Sequence, residues 1–469
     1  MKFGGPIDML HGSLWDKVLA FTLPLVATAL LQQLYNGADL TVLGQFVGKQ
    51  AMAAVGNDIP VVGLFLSLLL GLSLGGNVVV AQLLGGGKYK EASKAVHTAF
   101  ALSLIIGILL LVVGQVFAVP ALHLLGVPEE ILPEAELYMR IYFSGVPFVS
   151  LYNFQAALFR SRGEVTIPLA ALFVASMLNI VLDLISVTVF DLGLAGVAGA
   201  TVIANMTASG ILFFALYKRN DVLSVRIKDL TFHKEHLKRM LSIGMPAGIQ
   251  GMVFSVANLI IQTAINSLGP DAMAASAASF ILEINVYVIL MSFGQATTTF
   301  VGQNFGARQI HRCRQVTTLC MKMSVAVFVV MAAFVYVKGE AVLHIFTSDP
   351  AVIELGLIRI HYVVELEILN ICMEVLSGAM RGYGFSLPPA IVTLIGICAV
   401  RIIWVYTVFT ANPGFSVLMM IYPISWGITT VLLFALYRWY MHRLTGQLKG
   451  AAELKVYCSS VVKGLDDVL

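Results

Sequence analysis

The sequence predicts an all-α polytopic membrane protein, with twelve transmembrane helices in two parallel six-helix repeats around a central cavity. Three observations carry that prediction. Of the 469 residues, 58% are hydrophobic and only 12% charged, and the mean hydropathy is +0.88. Soluble domains carry about 25% charge, so water cannot solvate a surface of this composition. Apolar runs of bilayer-spanning length, about 20 residues, recur along the whole chain. The two halves also overlay on one another in a single register.

The spans follow in order. The first six are Val18 to Ala38, Ile59 to Leu84, a stretch within Ala95 to Val119, Ile141 to Phe159, Val165 to Phe190 and Leu192 to Tyr217. A polar segment, Lys218 to Arg239, divides the chain. Met240 to Ser267, Ala274 to Gln303, Val316 to Val337, Leu357 to Met380, Leu387 to Phe409 and Phe415 to Tyr437 complete the set, the last two parted by the turn Asn412-Pro413-Gly414. Closed β-barrels cross bilayers with short alternating segments, which these runs are not. The first span contains Pro24 and lacks a small-residue cleavage site, so it reads as a membrane helix rather than a cleaved leader. The expected organisation is an N-terminal lobe (1–217), a cytoplasmic linker (218–239), a C-terminal lobe (240–440) and a cytoplasmic tail (441–469).

Orientation follows from the positive-inside rule. With both termini cytoplasmic, 24 of the 29 Lys and Arg lie on the inside, only Lys49 and Lys338 lie outside, and Arg140, Arg359 and Arg401 lie within or near spans. A net charge of +3 gives nucleic acid no basic surface to bind. Cys313, Cys320, Cys372, Cys398 and Cys458 form no metal-ligand spacing and read as free thiols.

With an offset of 221, Ala51-Met52-Ala53-Ala54 meets Ala272-Met273-Ala274-Ala275. Gln82 and Gly85 meet Gln303 and Gly306, and Arg160, Gly163 and Pro168 meet Arg381, Gly384 and Pro389. One extra residue early on brings Pro24 and Asn36 onto Pro246 and Asn258. Six spans per repeat is even, so both halves enter from the same side. Secondary transporters rock such parallel repeats around a central site. Spans 1, 2, 7 and 8 are expected to line a cavity open to one side at a time. A channel would want a filter or charged ring, and none is legible. Gly85-Gly86-Gly87-Lys88-Tyr89 lacks phosphate-loop spacing and reads as a cytoplasmic turn. The driving force is therefore expected to be an ion gradient or the substrate's own gradient.

Ionisable groups at membrane depth are functional candidates. In the first span Thr28, Gln32, Tyr35 and Asp39 share one helical face, with Pro24 one turn earlier as a candidate hinge. Ser176, Asn179, Asp183 and Ser186 repeat the pattern in the fifth span, and Thr201 and Asn205 follow in the sixth. Two carboxylates, an amide and a hydroxyl make an all-oxygen site that suits Na⁺ or a proton. Ser255, Asn258, Gln262 and Asn266 form an uncharged stripe in the seventh span. Gln32, Tyr35, Asn36, Asn153, Asn205, Asn258 and Gln262 are candidates for the substrate cavity. Glu283, Glu365, Glu367 and Glu374 are candidates for a second site. Glu367, Asn370 and Glu374 share a face while Glu365 points elsewhere, and Arg401 is the expected partner of one of these acids.

Several motifs together resemble the multidrug and toxic compound extrusion (MATE) transporters, in the prokaryotic branch with an acidic first span. They are Tyr35-Asn36-Gly37-Ala38-Asp39 followed by Val42-Leu43-Gly44-Gln45-Phe46-Val47-Gly48, Ala51-Met52-Ala53-Ala54-Val55-Gly56, Phe159-Arg160-Ser161-Arg162-Gly163, Asn179-Ile180-Val181-Leu182-Asp183 and Arg381-Gly382-Tyr383-Gly384. The resemblance covers about residues 10 to 445. It implies an efflux antiporter that exchanges cationic or amphipathic small molecules for H⁺ or Na⁺, with no other cofactor. It places the cation site on Asp39, Asn179, Asp183 and Thr201, with Na⁺ as the candidate metal. Another branch uses an acid in span seven, where this chain has Phe254 and Ser255. The expected partners are small molecules and membrane lipids, not nucleic acid, and a monomer is expected. The alternative is a flippase of lipid-linked substrates from the same superfamily. A membrane enzyme would cluster its histidines, and His97, His123 and His361 are scattered.

Overall fold

The computed structural model describes residues 5–124 and 127–466, with side chains through residue 446 except those of 49, 57, 60 and 124. The described residues form helices and no strand. In lipid the backbone must satisfy its own hydrogen bonds, and helices do so within one segment. The first lobe holds α1 (Trp15–Val42, extended by a π-helical turn Leu43–Val47), α2 (Lys49–Gly85), α3 (Tyr89–Leu124), α4 (Leu132–Ser161), α5 (Thr166–Thr188) and α6 (Gly193–Tyr217). The second holds α7 (Lys234–Asn266), α8 (Pro270–Gly306), α9 (Ile310–Leu343), then α10, which comprises Pro350–Arg359, a π-turn Ile360–Val364 and Ile368–Gly382. The helix α11 alternates Leu387–Thr393, the π-turn Leu394–Ala399, Val400–Trp404 and the π-turn Val405–Phe409, and α12 joins Phe415–Met419 to Ile421–Asp466.

Ten helices among the described residues are long and apolar enough to cross a membrane. The other two of the twelve are α4, whose uncharged stretch 141–159 is diluted by Ser, Tyr, Asn and Gln, and α10, which carries charges along its length and is broken between its two helical pieces. The structure extends two of the boundaries read from the sequence. The helix α2 begins at Lys49 rather than Ile59, which takes Asp58 inside the helix, and α12 stays helical well past Tyr437. Cys313, Cys320, Cys372 and Cys398 are free thiols. The Cys458 side chain and the end of the tail, residues 467–469, lie outside the described residues.

The lobes meet at the end that carries the basic loops, and the contact is reciprocal. A Cβ added to Gly85 would lie 1.9 Å from the Gln303 carbonyl oxygen, and one added to Gly306 would lie 1.9 Å from that of Gln82. The Gln82 Nε2 donates to the Gly382 carbonyl at 2.8 Å, while Gln303 Nε2 donates to that of Ser161 at 2.6 Å. These pairs exchange under the same offset of 221, as a two-fold relation between parallel repeats requires. The helices α2 and α7 touch through backbone as well, since a Cβ at Gly71 would lie 2.2 Å from Gly248 N. The Arg239 guanidinium seals the same end on Gln82 Oε1 at 2.6 Å.

The first helix of each half packs into the opposite lobe at this end. Val18, Phe21 and Leu25 of α1 belong to the core built by α8 to α10, and Phe21 meets Phe300 edge-on at 5.4 Å. Met240 and Ile243 of α7 belong to the core of α2 to α6. Farther along, the polar face of α7 runs from Gly244, Gly248 and Gly251, all packed on α2, to Asn258 and Gln262, which are exposed. The lobes therefore splay apart beyond Gly251: Gly56 and Gly63 of α2 face open space, and Asn258 and Gln262 border the cleft so formed.

Outside the spans, a charge cluster ties the α4–α5 turn to the linker. Arg219 holds Glu164 bidentately at 2.7 Å and also bonds Asp221, which pairs with Arg162. Burial alone would raise the Asp221 carboxyl. The Arg219 hydrogen bonds, the Leu223 amide and both guanidinium charges nevertheless hold it below the ordinary aspartate range. A depressed value contributes stability that is present above the unfolded-state pKa and is lost as pH falls through the folded-state one. The difference in melting temperature between wild type and Asp221→Asn should be fully developed at neutral pH, begin to shrink only below about pH 4, and vanish once the pH has passed below the folded-state value.

The closed end yields a second prediction. Gly85→Val cannot coexist with the Gln303 carbonyl in this arrangement, and such overpacking costs about 1–3 kcal/mol. Spin labels at Lys88 and Arg308, on a background without native cysteines, should report a longer separation in that variant. An unchanged distance distribution would refute the contact.

Candidate functional site

The polar faces of α1, α5 and α6 converge inside the first lobe. Thr201 Oγ1 donates to Asp39 Oδ2 at 3.1 Å and lies equally close to the Val197 carbonyl. Asn179 Nδ2 approaches Asp183 Oδ1 at 3.4 Å, one turn apart on α5. The Asp39 and Asp183 carboxyls face one another. All four side chains are buried, Asn179 and Asp183 at 0% exposure. The second oxygens of Asp39 and Asp183 and the amide oxygen of Asn179 have no hydrogen-bond partner, nor do the Ser176 and Tyr35 hydroxyls beside them. Buried polar atoms are normally satisfied, so a cluster of unsatisfied acceptors around two facing carboxyls is a site that wants a cation. Oxygen donors of this kind fit a proton or a hard monovalent ion such as Na⁺.

Asp58 was not singled out from the sequence. It is fully buried on α2, neither of its carboxylate oxygens has a partner, and its charge acts on Tyr138, which Asp39 and Asp183 also influence. Tyr138 stacks on Tyr142 at 6.2 Å, so α4 adds an aromatic wall to the acids. Asp58 lies just before the run that reads as span two. Continuity of Gln50 to Val62 with that run is the signal that would have placed it within the helix.

The other candidate residues are placed as follows. Gln32 and Asn36 are exposed on α1, on much the same face as Phe21 but several turns farther along the helix. Asn153 is buried and bonds the Val149 carbonyl at 2.9 Å, and Asn205 bonds that of Thr201 at 2.9 Å. Gln262 bonds Asn266 at 2.9 Å on the exposed stripe of α7. Thr28 Oγ1 bonds the Pro24 carbonyl at 2.7 Å, a back-bond that favours bending at the proline.

The glutamates do not gather into one site. Glu283 is ion-paired with Arg359 at 2.7 Å, and Arg359 also bonds Ser276. Glu365 pairs with His361 at 2.8 Å. Glu367, Asn370 and Glu374 line one small recess with Tyr287 and Met291, as their shared face predicts. Arg401 bonds none of these acids. Its Nη1 donates to Asn258 Oδ1 at 2.9 Å, because α11 turns that side chain toward α7 rather than α10. A groove of about 560 Å³ runs between α1 and α5 on apolar side chains such as Leu30, Leu31 and Phe173. It lies on a different face of α1 from Asp39.

Parallel six-helix lobes, a cleft between them and buried acids with unsatisfied oxygens define a polytopic membrane transporter built from a repeat. The chain belongs to the MatE family, whose model matches it twice, over residues 24–185 and 246–407. It is 25% identical over 440 residues to a probable multidrug resistance protein, YoeA, of Bacillus subtilis, covering 91% of this chain and 94% of that one. It is 26% identical over 393 residues to a probable multidrug resistance protein, NorM, of Thermotoga maritima, covering 82% and 84%. The fold matches an outward-facing multidrug resistance MATE family transporter at a TM-score of 0.87 and 21% identity, covering 95% of this chain and 100% of that one. A MATE in the straight conformation matches at 0.85 and 21% identity, with the same coverage.

Thr201→Val would keep the shape and remove the donor to Asp39. Leaving a buried carboxylate oxygen without its hydrogen bond should destabilise the protein by about 1–3 kcal/mol, read in detergent by thermal unfolding at pH 7.

Proposed function

We propose that the protein is a multidrug exporter of the cytoplasmic membrane, with both termini inside, that exchanges cationic or amphipathic small molecules for H⁺ or Na⁺. The observation that carries this reading is the facing pair Asp39 and Asp183, buried and bonded by Thr201 and Asn179 but left with unpartnered oxygens. Relatives named multidrug resistance or multidrug export proteins support it, as does the concentration of Lys and Arg at the closed end.

The mechanism follows from electrostatics. Two ionised carboxylates in a low-dielectric lobe repel, and a proton or a metal ion relieves the repulsion. Binding of the ion therefore stabilises one arrangement of α1, which Pro24 allows to bend. A cationic drug in the same lobe neutralises the same charges and competes for them. Ion and drug thus exclude one another, and each favours a different state of the lobe. Asp39, Asn179, Asp183 and Thr201 hold the ion in this scheme. Gln32, Tyr35, Asn36, Asn153 and Asn205 contact the drug from the N-lobe side, and Asn258 and Gln262 from the other. The transporter works as a monomer, because one chain supplies both lobes.

Asp39→Asn should fold and insert yet lose ion-driven export. The measurement is drug resistance of a pump-deficient bacterium, together with efflux from vesicles under separate H⁺ and Na⁺ gradients. Wild-type efflux in both gradients would sink the N-lobe mechanism and move attention to Glu367.

A further inference from the structure

The second lobe carries a buried charge that the ion-exchange mechanism does not use. Arg401 is 1% exposed, the largest of the fully buried side chains, and it has no carboxylate in ion-pair range among the described residues. Its guanidinium is boxed by aromatic rings, with Tyr422 at 4.4 Å, Phe254 at 5.2 Å and Trp426 at 6.0 Å. Its Nε lies 3.3 Å from Ser425 Oγ and its Nη1 donates to Asn258, while Nη2 has no acceptor at all. The nearby acid Glu283 is already neutralised by Arg359. An unpaired charge at this depth is costly and calls for a partner.

The repeat says what kind of place this is. Under the offset fixed by Pro168 with Pro389 and Gly193 with Gly414, Thr201 falls on Tyr422 and the step Asn179–Ile180 falls on Val400–Arg401. Asn36 falls on Asn258, and Asp39 falls on the pair Ile260–Ile261. The stretch equivalent to the acid site therefore carries an arginine, one residue past the match of Asn179, while Asp183 falls on Trp404 and Asp39 on apolar residues. The helix around it differs as well. Arg401 sits in one short α-helical turn between two π-helical turns, Leu394–Ala399 and Val405–Phe409, whereas α5 is regular throughout. Such turns are frequent at functional sites. Access is short, because Asn258 bonds Arg401 on one side and is exposed on the α7 face that borders the cleft.

We propose that Arg401, reached through Asn258, is a subsite for the anionic group of amphipathic substrates, chiefly a carboxylate attached to an aromatic ring system. The second lobe thereby accepts the opposite charge from the first. A guanidinium offers a carboxylate parallel donors in a fixed fork, and the aromatic box holds that fork in place without neutralising it. This inference rests on the cleft being the substrate site.

The test uses two dyes that differ in one group, rhodamine B with its free carboxylate and the ethyl ester of rhodamine B without it. Binding is read by fluorescence anisotropy on the purified full chain in lipid nanodiscs. The informative quantity is the ratio of the affinity for the acid to that for the ester. Arg401→Gln removes the charge. Asn258→Asp keeps Arg401 but supplies it with a built-in carboxylate of nearly the same shape, so it serves even where the first variant fails to fold. Both should lower the ratio about tenfold, the scale of one desolvated charge pair at the weak end of its range. A ratio unchanged in a folded Asn258→Asp protein would overturn the anion subsite while leaving the exporter reading intact. Failure of the wild type to bind either dye would overturn the cleft as a drug site, and this inference with it.

Discussion

The structure depends on a close approach of two backbones. Gly85 lies against the Gln303 carbonyl and Gly306 against that of Gln82, and no residue with a side chain fits at either glycine. This reciprocal contact sets the two-fold relation of the lobes and closes one end of the molecule. It also leaves the two lobes free to diverge at the other end. Glutamine side chains complete it by capping carbonyls at the ends of α4 and α10, so that a dry contact between helices satisfies its polar groups.

Given that frame, the lobes spend their buried charge differently. The second lobe answers Glu283 with Arg359 and Glu365 with His361, and leaves Glu367 and Arg401 without an ion pair among the described residues. The first lobe answers Asp39 and Asp183 only with a hydroxyl and an amide, and leaves Asp58 without any bond. A buried charge balanced within the protein is inert toward a passing ion. One left unbalanced makes the stability of that state depend on what occupies it. In the exchange proposed above, this difference between two halves of common design lets the two sides of the cleft act differently.

Much of this was legible in the residues. Apolar runs placed the spans because a bilayer admits few alternatives. The helical period put Thr28, Gln32, Tyr35 and Asp39 on one face, and Asn179 with Asp183 on another. Asp58 was missed because a carboxylate beside Asn57 and Pro60 looks like the end of a helix, and only three-dimensional packing shows α2 running through it. The pairing of Glu283 with Arg359, 76 residues apart in sequence, and of Arg401 with Asn258 rather than a glutamate, could not be read from spacing. Such pairs depend on how neighbouring helices rotate about their axes. Gly85 and Gly306 were visible as a matched pair, but a repeat reveals equivalence and not contact.

The exchange of helix ends between lobes has a mechanical consequence. Val18 and Phe21 are anchored in one lobe while Asp39, farther along the same rod, is anchored in the other, and α7 mirrors this with Met240 and Ile243. Pro24 and Pro246 stand close to the two borders. The lobes therefore cannot swing as separate bodies on a loose strap. Any separation loads α1 and α7 as a pair of crossed flexures, stressed where each lacks a backbone hydrogen bond. In the exchange proposed above, torque from a change at the carboxylates in one half would pass along α1 into the core of the other, with no need for a signal to cross the open cleft.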